Sequence, residues 1–158
     1  QMKEQQVLTY KCLVVGMDGV GKTSFVNMIL LGKTEYQYEQ FKEFRTKQFK
    51  QYKTTVNLNI YGVVHSPIYY LNTKICLMCL DLSQKLEQQK QYISQQLENI
   101  QLLAGEATVV VLGLKQDIQV TELEARQYCR ELKFPFVAVS AKTGHNVQRA
   151  MTLALRHA

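Results

Sequence analysis

Three runs of this chain are apolar at almost every position rather than at every second one: residues 10–15 (YKCLVV), 75–82 (ICLMCLDL) and 108–114 (TVVVLGL). A half-exposed strand alternates apolar and polar side chains, so continuous runs of this length predict strands covered on both faces. Between them lie segments of helical period. Residues 24–31 are apolar and end near Gly32, which predicts a helix stopping there. Leu86, Ile93, Leu97, Ile100 and Ala104 recur on one side of a longer amphipathic helix, with its glutamines assigned to the other side. Thr121 followed by Glu124 has the pattern of a capping box, opening a helix in which Ala125, Tyr128, Cys129 and Leu132 share a face. Residues 136–139 form a last short strand, and Val147, Ala150, Met151, Ala154 and Leu155 line a closing helix. Two β-rich stretches, 43–49 and 54–61, flank a polar KQYK and predict a hairpin. Strands that alternate with helices of crossover length give an α/β fold, with a mostly parallel sheet covered on both faces.

Composition limits the alternatives. A chain of 158 residues is one domain long, with residues 1–9 as an N-terminal extension. With 46% hydrophobic and 20% charged residues, it lies far from the polar compositions that stay disordered. No apolar run approaches the roughly 18–20 residues of a membrane span, and residues 1–11 lack the basic-then-apolar order of a signal peptide. A cytoplasmic protein is expected. The cysteines Cys12, Cys76, Cys79 and Cys129 sit in apolar segments and read as reduced, buried thiols. Cys76 and Cys79 are spaced as CxxC, but a strand sends them to opposite faces, which argues against a metal or redox pair. The 18 glutamines are dispersed, form no low-complexity tract, and are expected to face solvent.

Residues 16–23 read G-M-D-G-V-G-K-T, which matches G-x-x-x-x-G-K-[ST] and falls between a predicted strand and a predicted helix. In such a loop the glycines let backbone N–H groups converge on phosphate oxygens at a helix N-terminus, whose dipole favours anions. The run Asp18, Gly19, Val20, Gly21, Lys22, Thr23 and Ser24 is therefore the expected phosphate cradle. Lys22 would reach the β- and γ-phosphates, and the Thr23 hydroxyl would ligate Mg²⁺.

Further along stand L-K-Q-D at residues 114–117 and S-A-K at 140–142. With the phosphate loop, in this order and spacing, they make residues 10–155 resemble a Ras-superfamily small GTPase, most closely a Rab-like one. That resemblance implies a P-loop NTPase small G domain, a six-stranded sheet, bound GTP or GDP, and Mg²⁺. It also implies that Asp117 reads the guanine N–H groups, that Lys115 and Lys142 flank the base, and that the Ala141 N–H, next to Ser140, donates to its exocyclic oxygen. Leu114 departs from the family's Asn, which ties the base to the phosphate loop. Losing such a bond costs about 1–3 kcal/mol where partners are stranded.

The larger departures are in the two segments that sense the γ-phosphate. Residues 43–62 fit the family's hairpin without a gap, and in that register the Mg²⁺-binding Thr becomes Glu39. The D-x-x-G becomes Gly62, Val63, Val64 and His65. The register resumes at Tyr69 and Tyr70 and runs without a gap to Asp81; between these two matched blocks the chain is several residues shorter than a typical relative, so the second-switch helix is shortened. No glutamine lies between Tyr52 and Ser83 to position water. Little or no hydrolysis is expected. His65 is the one weak candidate for a substitute catalytic residue, and Thr34 is an early alternative to Glu39 at the metal. Two further readings stay open: a scaffold that acts without nucleotide, and an active GTPase with an unusual water-positioning group.

The net charge is +6, and Lys42, Arg45, Lys47, Lys50 and Lys53 fall on the hairpin that relatives use for effectors. The sharper reading is docking to an acidic protein partner, in membrane traffic or signalling, or to an anionic membrane, with any membrane contact expected to be indirect. Lysines protecting an exposed strand edge are the plainer reading. No nucleic-acid partner is expected.

Overall fold

The computed structural model describes residues 6–32, 43–51, 53–62 and 66–158. Six strands form one sheet: β1 (Gln6–Val15), β2 (Arg45–Gln51), β3 (Thr54–Tyr61), β4 (Ile75–Asp81), β5 (Thr108–Leu114) and β6 (Phe136–Ala138). Their order across the sheet is β2-β3-β1-β4-β5-β6, with β2 antiparallel to β3 and every other pair parallel. The helices are α1 (Lys22–Leu31), α2 (Leu86–Leu103), α3 (Glu122–Leu132) and α4 (Val147–His157). This is the expected α/β architecture.

The period-two geometry of a strand divides the core into two layers. In β4, Ile75, Leu77 and Cys79 pack with α1 and α4, where Phe25, Ile29, Met151 and Leu155 meet them. Cys76, Met78 and Leu80 pack on the other side against Leu86, Ile93 and Ile100 of α2 and Cys129 of α3. Cys76 and Cys79 thus lie in opposite layers, as expected, and all four cysteines are free and buried. Burial pushes the thiols of Cys76, Cys79 and Cys129 up to about 12, so they pack as small hydrophobes.

Several local expectations need correction. β1 begins at Gln6, so residues 6–9 of the expected extension are strand, paired with Thr54 to Asn57 of β3. α1 starts at Lys22 instead of residue 24, directly off the phosphate loop. β2 runs Arg45–Gln51 rather than 43–49. The Thr121 hydroxyl makes no helix cap. It donates to the carbonyls of Leu82 and Gln84, at 3.1 and 3.2 Å, and fastens α3 to the end of β4.

Gln89 is not on the solvent face: it is 5% exposed, and its amide replaces a strand partner at Asp81. Its Oε1 accepts from the Asp81 N–H at 2.6 Å, and its Nε2 donates to the Asp81 carbonyl at 3.0 Å. Gln96 is likewise engaged, accepting from the Tyr70 hydroxyl at 2.5 Å. No described helix is long and apolar enough to cross a membrane.

Candidate functional site

In a parallel sheet, ligands bind outside the carboxyl ends of the strands, where chain direction brings successive loops together. Here that edge collects the phosphate loop after β1, Gly62 after β3, Asp81 at the end of β4, Lys115 after β5 and Ser140 after β6. A cleft of about 800 Å³ opens there, lined by Gly16, Asp18, Lys22, Thr23, Gly62 and Lys115 among others.

The loop's glycines meet different requirements. Gly19 and Gly21 have φ of 82° and 108°, in the left-handed region that favours glycine. Gly16 is needed for space, because a Cβ there would lie 2.9 Å from the Cys79 carbonyl oxygen and from Val20 Cγ2. α1 begins immediately after Gly21 with no side-chain cap, which leaves its first N–H groups toward the cleft end of the helix. Lys22 Nζ donates to the Gly16 carbonyl, so its side chain folds back along the loop. Thr23 is exposed at the same end.

The second part of the site is built on β5 and β6. Asp117 is exposed, and its Oδ1 accepts from the Ser140 hydroxyl at 2.8 Å. Ser140 is fully buried, and its Oγ also accepts from the Thr143 N–H at 3.2 Å. Among the described residues no protein acceptor takes the Ala141 N–H. Lys142 is exposed beside it.

Leu114 cannot make the bond of the family's Asn, but the link it would provide is present in another form. Leu114 is 2% exposed and faces Gly21, its Cδ1 3.6 Å from where a Cβ on that glycine would lie. The adjacent Lys115 makes the polar link, donating to the Gly19 carbonyl at 2.9 Å and to Asp81 Oδ2 at 2.8 Å. Lys115 therefore braces the loop, a role that the family motif alone does not express.

Asp81 also accepts from the Ser83 N–H and hydroxyl, at 2.9 and 2.5 Å. Burial alone would raise its pKa, but the hydrogen bonds from Lys115 and Ser83 outweigh burial and hold the carboxyl below its usual range. The folded value lies below the unfolded value of about 3.9, so this stabilisation is present above about pH 4 and is lost as pH falls through the folded value. Asp81→Asn should lower stability at pH 7 by about 1–2 kcal/mol, nearer the lower figure because the Lys115 side chain is 34% exposed. Urea unfolding of both proteins from pH 7 to pH 3 should show this gap closing below pH 4. A gap independent of pH would exclude the ion pair as its source.

Tyr92 of α2 was not expected at the site, yet it lines the same cleft. Burial raises its phenol, a hydrogen bond from the Gly16 backbone partly offsets this, and the nearby Asp18 charge raises it further. No motif announces it, since a tyrosine one residue from the buried Ile93 reads as an ordinary flank of the apolar stripe.

Thr34, Glu39, Lys42, Val63, Val64 and His65 lie outside the described residues. From the end of β3 to the start of β4, the described helical piece is one 3₁₀ turn, Pro67–Tyr70. The hairpin's basic residues do not share a face. Arg45 and Lys47 pair opposite Ile60 and Leu58 on the α1 and α4 side, and Lys50 pairs opposite Thr55 on the other. Arg45 donates to Asn27 Oδ1 at 3.3 Å.

Sequence comparison fixes the lineage. The Ras family model matches residues 11–158, which is nearly all of the sheet and every element of the cleft. The chain belongs to the Ras family. It is 24% identical over 158 residues to the GTP-binding nuclear protein GSP1 of Encephalitozoon cuniculi, covering 90% of this chain and 73% of that protein. It is 25% identical over 169 residues to Ras-related protein Rab-4A of Danio rerio, with 98% and 78% covered. To Ras-related protein Rab-7a of Dictyostelium discoideum it is 24% identical over 183 residues, with 99% and 86% covered. Low identity over near-complete length means that the fold is shared as a whole, while each site residue has to be argued singly. Ras-family domains bind GTP and GDP with Mg²⁺. Among the described residues no cluster of three or more His, Cys, Asp or Glu side chains could form a cage for a metal.

Proposed function

We propose that this Ras-family domain binds GTP or GDP at the described cleft, hydrolyses GTP very slowly or not at all, and acts by engaging protein partners. The observation that carries the reading is convergence at one sheet edge. The phosphate-loop backbone, Lys22 and Thr23 meet the cleft, and the Asp117–Ser140 pair and the Ala141 N–H follow β5 and β6. These are the donors and acceptors that phosphates and a guanine base require.

Weak hydrolysis follows from what stands opposite the phosphate loop. Gly62 lines the cleft where relatives carry the acid of D-x-x-G, and a Cβ there would meet nothing within 4 Å. The missing carboxylate is thus not forced by packing. In-line attack needs a positioned water and preorganised charge, and neither the acid nor a glutamine is available in this stretch. The partner surface is the hairpin edge, where Arg45, Lys47 and Lys50 favour an acidic protein. Any association with membranes runs through such a partner.

The test is direct. Protein purified without added nucleotide is denatured, and the released small molecules are chromatographed; GDP or GTP near one equivalent is expected. In single-turnover assays, bound GTP should decay at a rate barely above that of GTP in a protein-free control. No released nucleotide, together with no binding of added GTP or GDP, would overturn the reading. A hydrolysis rate typical of an assisted GTPase would overturn its second half.

A further inference from the structure

The turn that follows β3 is held to the start of β2 by side chains that do not line the phosphate cleft. Tyr69, in the 3₁₀ turn Pro67–Tyr70, donates its hydroxyl to Glu43 Oε1 at 2.7 Å. Its ring meets Tyr61 edge-on, with centroids 6.3 Å apart, and the Tyr61 ring lies 5.1 Å from that of Phe44. Lys11 of β1 reaches both tyrosines, with Nζ 5.0 Å from the Tyr61 centroid and 6.0 Å from that of Tyr69. The same ammonium donates to the Leu71 carbonyl at 3.0 Å. Three strands thus contribute to one clamp: β1 through Lys11, the entrance of β2 through Glu43 and Phe44, and the end of β3 through Tyr61.

A nucleotide can shift a segment only through contacts that differ between its diphosphate and triphosphate states. In a γ-phosphate switch, the segments before β2 and after β3 are ordered by that phosphate and its ion, and released when the phosphate leaves. In this chain, Glu43 at the entrance of the hairpin and Tyr69 in the turn after it are bonded to each other. Gly62, between Tyr61 and the turn, brings no side chain to the cleft through which a phosphate could pull.

We propose that the Glu43–Tyr69 clamp, supported by Lys11 and Tyr61, holds the turn at residues 67–70 against the hairpin in one conformation whatever the cleft contains. The face around Phe44, Ile68 and Leu71, all exposed, is then set by the fold and not gated by nucleotide. The inference rests on the proposed binding function only in that the ligands to be compared are guanine nucleotides.

Hydrogen–deuterium exchange on the full chain tests it, with no nucleotide, with GDP, and with a non-hydrolysable GTP analogue, each with Mg²⁺. Residues 16–25 should gain protection with either nucleotide, and residues 66–72 should exchange within about twofold in all three states. A difference above about fivefold in residues 66–72 between GDP and the analogue would overturn the proposal. Tyr69→Phe and Glu43→Ala should each speed exchange there by about three- to tenfold, and the double variant should add little, because both remove one bond. Glu43→Gln, which keeps an acceptor, should stay close to wild type. Single variants without effect, or effects that add fully, would also overturn it. If neither nucleotide protects residues 16–25, the binding function fails, and the clamp is decided by the variants in nucleotide-free protein.

Discussion

Asp117→Asn should weaken GDP binding by about 100-fold or more and bring xanthosine diphosphate into a comparable or tighter range, since each charge-assisted hydrogen bond is worth about 1.5–3 kcal/mol. A carboxylate offers acceptors only, and guanine turns two donors, its ring N–H and its amino group, toward that position. An asparagine offers one acceptor and one donor group. Xanthine carries a carbonyl where guanine carries the amino group, so the altered side chain complements it and leaves guanine with a donor facing a donor. The effect depends on Asp117 being held in place. Ser140, fully buried, donates to Asp117 Oδ1 at 2.8 Å and is itself fixed by the Thr143 N–H, so the carboxylate has a rigid support. Asparagine Oδ1 can accept the same bond, and because the residue is exposed, melting without nucleotide should change little. Competition against a fluorescent GDP derivative measures both affinities. Unchanged guanine preference would mean that the base does not lie against Asp117.

How much of this was legible in the chain follows from which physical requirement each residue meets. Runs such as ICLMCLDL are apolar throughout because both sheet faces are covered, and that requirement writes itself into every position. The phosphate loop is equally plain, since positive φ at Gly19 and Gly21 and the close approach at Gly16 admit almost no other residue. Residues whose role depends on a distant partner were not legible. Gln89 looks like any other polar residue of a glutamine-rich helix, and only the fold shows it closing the backbone bonds of Asp81. Thr121 has the local pattern of a cap, but tertiary acceptors at Leu82 and Gln84 compete for its hydroxyl and win. Gln6 to Thr9 hold only two apolar residues, Val7 and Leu8, between polar ones, and they are strand because β3 continues beside them. The Lys115 brace was hidden for a further reason: the loss of asparagine at Leu114 draws attention to a broken link, while its neighbour keeps that link through Gly19 and Asp81.

That brace raises the question of whether the cleft needs a ligand at all, and Lys22→Ala answers it. Within the protein the loop is held by Lys115 on the Gly19 carbonyl and by the Lys22 ammonium on the Gly16 carbonyl, with Leu114 facing Gly21. Removing Lys22 deletes one of these two supports and the only loop cation that can face phosphate oxygens. Affinity for GTP and GDP should fall by about 100- to 1,000-fold, corresponding to the loss of one or two charge-assisted hydrogen bonds. The fold should survive, because alanine is the best helix former and the Lys115 support remains. The readout is thermal melting with and without saturating nucleotide. A ligand at 100 times its Kd stabilises a protein by about 2.7 kcal/mol, so wild type should melt several degrees higher when loaded, and the variant should show almost no rise at the same concentration. If the wild-type protein shows no rise either, and the variant captures the same protein partner from solution as wild type does, the intact lysine serves only to brace the loop. The domain would then be a scaffold that keeps the shape of a nucleotide site without using it.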